Sequence, residues 1–181
     1  MLLRTLLISS FLILSGCVAS EQKYNAQTYI ITADSLWDTP EQSLLDKGLE
    51  PLSGTVITDL ITNKTIVGEY VSTPAIPLND RATQWMEYYL ADGTSKYRSC
   101  QSLNTSSKWN CSAKLNGQWK VFDNKLCLKY RNSKNYTHCV RVYLDGDQYL
   151  IVATTTKATG YVRGIVRKAM EGFVEEVPFK S

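Results

Sequence analysis

The chain has 181 residues, with 20 Lys+Arg against 17 Asp+Glu, five cysteines and a single histidine. That length suits one domain with a single core, and the formal net charge of +3 is too small to define a partner by itself. No internal repeat, low-complexity tract or second apolar span appears, which leaves no sign of a solenoid or of a second membrane-spanning helix.

The N-terminus carries one charge, Arg4, then an apolar run from Leu6 to Leu14 and small residues leading into Cys17. This order is that of an export signal, and the run falls well short of the roughly 20 apolar residues that span a bilayer. Leu14-Ser15-Gly16-Cys17 resembles the lipobox of bacterial lipoproteins. The resemblance implies cleavage after residue 16 and acylation of Cys17. With several chains attached, at about 0.8 kcal/mol per buried CH₂, the anchor is stable. Val18 follows in place of Asp, which by the bacterial sorting rule directs the protein to the outer membrane, on its periplasmic side. An ordinary signal peptide with a chance cysteine is the plainer alternative. Residues 17–28 are the lipidated cysteine and a polar tether, and 29–181 form one β-rich domain.

Leu44, Leu45 and Leu49 recur at helical spacing over 41–50, ending near Gly48. Ser53 is a candidate N-cap for a short helix through Ile61. From Thr65 the composition turns to β-formers. Strands are predicted over 66–71, 84–91, 94–100, 108–114, 117–123, 125–131, 137–144 and 148–155. Asp92-Gly93, Asp123-Asn124 and Asp145-Gly146 supply tight turns between them. The fold class expected is mainly β with flanking helices: an antiparallel meander curling into a sheet or small barrel.

Four cysteines remain after Cys17, an even set in an oxidising compartment. Cys100 and Cys111 sit symmetrically about the polar turn 104–107, and Cys127 and Cys139 about 132–135. Antiparallel partners face each other across such turns, which predicts Cys100–Cys111 and Cys127–Cys139. Each would contribute roughly 3 kcal/mol on the chain-entropy account. Zinc is the rival, but there is no Cys-x-x-Cys pair, and no metal or cofactor is expected. At the C-terminus Tyr161, Ile165, Val166, Ala169, Met170 and Phe173 recur with helix-like spacing. That stripe predicts an amphipathic helix packed on the sheet, with a membrane-surface helix as the alternative.

Leu52-Ser53-Gly54, Asn63-Lys64-Thr65, Trp85-Met86-Glu87-Tyr88-Tyr89, Gly117-Gln118-Trp119-Lys120-Val121 and Leu126-Cys127-Leu128-Lys129-Tyr130 follow in order, with Cys139 and Asp145-Gly146-Asp147-Gln148-Tyr149 after them. Together these phrases resemble small secreted proteobacterial domains of unknown function with a lipocalin-like character, over about residues 49–152. The resemblance implies an exported β-rich domain with a cysteine-bridged hairpin and supplies no catalytic residues. Cys100 and Cys111 depart from it.

A nucleophilic triad needs a base, and the one histidine, His138, lies beside Cys139 on a predicted strand, where an exposed histidine without a role is the plain account. The acids show no hydrolase spacing, and no phosphate loop or calcium loop is present, so no enzyme activity is expected. Charge is uneven. Lys96, Arg98, Lys108, Lys114, Lys120, Lys125, Lys129, Arg131, Lys134 and Arg141 are opposed between Thr94 and Arg141 only by Asp123. Such a segment attracts polyanions, unless its lysines merely solvate the outer face of the strands. The expected function is therefore binding of an anionic envelope lipid, glycolipid or acidic protein, with nucleic acid not expected in that compartment. The candidate contacts are Lys96, Tyr97, Arg98, Trp109, Trp119, Lys129 and Arg131. A periplasmic inhibitor or an assembly or pilot factor binding a protein partner is the alternative. The Asn-x-Ser/Thr tripeptides at Asn63, Asn104, Asn110 and Asn135 would suit a secreted eukaryotic domain, which the lipobox argues against.

Overall fold

The structure, a computed structural model, describes residues 34–36, 38–71, 83–102, 109–130, 138–157 and 159–174. The leader, Cys17, the tether and Arg131 lie outside the described residues. Two short helices come first, α1 (Glu41–Asp46) and α2 (Gly54–Ile61). Among the described residues nine strands follow: β1 (Lys64–Tyr70), β2 (Thr83–Tyr89), β3 (Thr94–Ser102), β4 (Trp109–Cys111), β5 (Leu115–Phe122), β6 (Lys125–Tyr130), β7 (His138–Asp145), β8 (Gln148–Ala153) and β9 (Val162–Glu171).

The expected turns set the meander. Gly93 takes a positive φ of 83°, while the Asp92 carboxylate accepts from Thr94 N at 2.8 Å and from its hydroxyl at 2.6 Å. Asp123 and Asn124 both have positive φ, 51° and 53°, the backbone of a two-residue hairpin whose twist matches its strands. Each strand from β5 to β9 pairs antiparallel with the next, β3 pairs with both β2 and β5, and β1 pairs with both β2 and β9. Eight strands thus close into an antiparallel barrel, with β4 a short flap on the end of β3. Closure removes the unpaired edges that an open sheet of this length would expose.

Both expected disulfides are formed. Cys100 and Cys111 are register partners across β3 and β4, and Cys127 and Cys139 across β6 and β7.

The predicted C-terminal helix is a strand, and β9 is what closes the barrel, hydrogen-bonded to β8 on one side and β1 on the other. The helix-like stripe has a specific origin. Between the pairs Ile151↔Gly164 and Val152↔Val162, Arg163 is an extra residue; between Val67↔Lys168 and Gly68↔Val166, so is Arg167. Each bulge shifts the alternation by one. Two of them four residues apart turn a period of two into a pattern that imitates 3.6.

Sidedness follows the register. Ile66, Trp85, Tyr89, Trp119, Leu126, Val142 and Val166 cluster inside with Ile57 and Ile61 of α2, which plugs one end. Ser53 caps that helix, its hydroxyl accepting from Val56 N, and Asn124 Oδ1 accepts from Gly54 N at 2.9 Å, tying the β5–β6 turn to the plug. On the outside, α1 covers β7, β8 and β9, with Leu44 packed among Tyr143, Leu150, Val152 and Ile165. Glu41 pins this layer: both its oxygens accept from Arg141 at 2.9 Å and Oε1 also accepts from the Tyr143 hydroxyl. Elsewhere the outer face carries Lys96, Lys120, Arg167 and Lys168. Apolar side chains inside and charged ones outside reverse the order of a barrel that faces lipid.

Candidate ligand-binding site

Above the α2 plug, the inward side chains do not fill the barrel. They leave a cavity of about 460 Å³, within the range usual for small-molecule sites. Leu126, Leu128, Val140 and Ile151 form an aliphatic wall from β6, β7 and β8. Tyr70, Trp85, Tyr97 and Tyr130 face it from β1, β2, β3 and β6. Space for these rings comes from glycines on neighbouring strands. A Cβ on Gly68 would lie 2.4 Å from the Trp85 ring, and one on Gly117 would lie 3.0 Å from Tyr130 Cδ1 and 2.7 Å from Ser95 Oγ.

Within this apolar lining sits one acid, Glu87, 2% exposed. Its Oε2 accepts from the Tyr89 hydroxyl at 3.0 Å and from the Tyr130 hydroxyl at 3.1 Å. Burial raises its carboxyl from 4.5 to about 7, against the opposing pull of the hydroxyls of Ser95, Tyr89 and Tyr130. Ser95 is a neighbour, yet Ser95 Oγ and Glu87 Oε1 do not meet in hydrogen-bond geometry, and neither has a partner among the described residues. Trp85 Nε1 is likewise buried and unpartnered there. Tyr70 and Tyr97 share a hydroxyl–hydroxyl bond of 2.9 Å. Burial pushes the phenols of Tyr70, Tyr89, Tyr97 and Tyr130 above their ordinary value, so they remain hydroxyls. Arg163, placed by its bulge, reaches the cavity from β9 and donates to the Val71 carbonyl.

The sequence-predicted contact residues divide between the two faces of the wall. Tyr97 lines the cavity. Trp119 lies deeper, 8% exposed, its indole N–H donating to Leu90 O at 2.8 Å and its ring edge-on to Tyr89. Lys96, Arg98 and Lys129 alternate with inward residues and belong to the outer face. Lys96 and Lys114 both lie over the ring of Phe173, 5.0 and 5.5 Å from its centroid, and Arg98 Nε donates to Ser112 O at 3.1 Å. Trp109 is a strand residue paired with Ser102, its side chain outside the described residues, as is the whole of Arg131. The basic stretch is partly neutralised: Arg141 pairs with Glu41 and Lys125 with Asp123. His138 also lines the cavity, its ring 5.9 Å from that of Tyr130.

Sequence reasoning missed Glu87, Tyr70, Tyr89 and Tyr130. The alternation Trp85-Glu87-Tyr89 did place an acid on an aromatic face, but Met86 and Tyr88 made the opposite face nearly as apolar. Among the described residues no cluster of His, Cys, Asp and Glu could hold a metal ion, and no helix is long and apolar enough to cross a membrane. No protein-family model, curated protein or solved structure matches the chain.

Proposed function

We propose that this is a non-enzymatic binding protein of the bacterial envelope, anchored by lipid at Cys17 to the outer membrane and facing the periplasm, whose barrel encloses a small, mostly apolar ligand. The observation that carries the reading is the cavity of about 460 Å³, apolar in its walls with a few convergent polar groups. It supports a ligand contact on the inside of the sheet in place of the basic outer face, with Tyr97 common to both contact sets.

A neutral solvatochromic dye tests the chamber. Val140→Trp, which fills it from β7, should weaken dye binding by roughly tenfold or more, about 1.4 kcal/mol. Charge reversal on the outer face, Lys96→Glu with Lys129→Glu, should leave binding within about twofold, since exposed charges act through screened solvent. The opposite pattern would sink the chamber and favour an anionic envelope lipid, glycolipid or acidic protein on the outside. That second reading is supported by the gathering of Lys96 and Lys114 around Phe173. The anchor has its own test. Cys17→Ser should move the protein from the membrane fraction to the soluble periplasm, and retention at the membrane would overturn the lipoprotein reading.

A further inference from the structure

Glu87 is surrounded in an unusual way for a buried acid. The polar side chains that act on its carboxyl are hydrogen-bond donors: Tyr89 and Tyr130 on Oε2, with Ser95 alongside. Donors of this kind stabilise a carboxylate, yet among the described residues none of the groups that shift its carboxyl is a cation. Buried carboxylates are ordinarily matched by a counter-charge. The second oxygen, Oε1, is buried and unpartnered among the described residues, while Glu87 itself lines the cavity. Aromatic rings stand around the same space. The Trp85 ring lies against Gly68, 6.3 Å from Tyr70, and Tyr97 and Tyr130 are 5.3 Å apart. A carboxylate together with several aromatic faces is the chemistry that binds an organic cation.

We propose that the ligand of the chamber is an apolar amine, its ammonium group held by Glu87 Oε1 and the rings of Trp85, Tyr97 and Tyr130, and its hydrocarbon body along Leu126, Leu128, Val140 and Ile151. The inference rests on the chamber reading above and names the ligand class for it. The ammonium donates to Oε1, supplies the counter-charge and leaves the two phenol bonds on Oε2 in place. The other titratable or charged groups facing this space are Tyr70 from β1, Tyr97 from β3, His138 from β7 and Arg163 from β9. Arg163 is the one fixed cation among them, and its bond to the Val71 carbonyl holds it at the β1–β9 wall. A carboxylic acid of the same length would instead place a second acid beside Glu87, with like-charge repulsion against it.

The experiment uses the full-length chain with the single change Cys17→Ser, so that no detergent competes for the cavity. Octylamine, octan-1-ol and octanoic acid are titrated by calorimetry at pH 8 and at pH 5. The amine should bind at least about tenfold tighter than the alcohol at pH 8, an advantage of about 1.4 kcal/mol. Amine affinity should fall by up to about tenfold per pH unit below pH 7, because Glu87 must then lose a proton to pair. Glu87→Gln should abolish the preference while the alcohol still binds, and His138→Asn should leave the pH slope in place. Should Glu87→Gln fail to fold, the pH profile of the unmutated site decides alone. Equal binding of alcohol and amine, or a preference that survives Glu87→Gln, overturns the amine and leaves the apolar chamber standing. If none of the three compounds binds, the chamber reading falls and the amine with it.

Discussion

Gly68→Ala should destabilise the barrel by about 3 kcal/mol, at the upper end of what overpacking a core costs. The new methyl would lie 2.4 Å from both Cε2 and Cζ2 of Trp85 and 2.8 Å from the Ile165 carbonyl oxygen. One neighbour is a ring 5% exposed, the other is backbone of the strand that closes the barrel. Neither yields cheaply. The role of Gly68 is space and not backbone freedom, which a comparison makes visible. Gly48, at φ 77° with nothing within 4 Å, should cost only about 1–2 kcal/mol as alanine, the left-handed penalty alone. Urea denaturation measures both. Trp85→Leu placed beside Gly68→Ala should recover part of the loss, since the two share one contact. A loss below about 1 kcal/mol for Gly68→Ala would mean that the indole does not lie on β1.

The barrel should also lose stability as pH rises from 5 to 8, by up to about 3 kcal/mol from Glu87 alone. The folded carboxyl is raised to about 7 against 4.5 for the free group, so between these values the native state holds a proton that the unfolded chain has released. Stability from this group is full below about pH 4.5, falls as pH rises through 7, and is gone above it. The carboxyls of Asp92 and Asp123 are held below their ordinary value by Thr94 and by Lys125 respectively. Their contribution has the opposite sign and is lost only on acidification below about pH 4, outside the Glu87 window. Urea midpoints at pH 5, 6, 7 and 8 should therefore descend. Glu87→Gln should flatten the series and raise the midpoint at pH 8. A midpoint that climbs with pH over this range would place Glu87 as an ordinary, ionised carboxylate.

Both predictions come from the same compromise. An eight-stranded barrel is just wide enough for side chains to fill it. Here Gly68 and Gly117 remove side-chain volume from the wall, letting Trp85 and Tyr130 lie close against it. A buried carboxyl with one oxygen unpartnered among the described residues is a polar cost that this interior carries.

Much of the architecture was determined by local sequence. The short helices are marked by Leu44 and by the cap at Ser53, and the hairpins by Asp92-Gly93, Asp123-Asn124 and Asp145-Gly146. These features act over a few residues, through φ preferences and side-chain caps, so they are legible without knowing what packs where. The disulfide pairing was legible for the same reason, because each pair brackets its own turn. Tertiary structure alone decided three things. It made residues 162–171 a strand, because the bulges at Arg163 and Arg167 erase the alternation and only pairing with β1 and β8 reveals it. It joined β1 to β9, a contact between the first strand and the last that no local signal encodes. It also turned Trp85, Glu87 and Tyr89 inward and Lys96 and Lys129 outward, which splits the predicted contact set between two faces. Alternation says which side chains share a face of a strand; which face becomes the interior is settled only when the sheet closes.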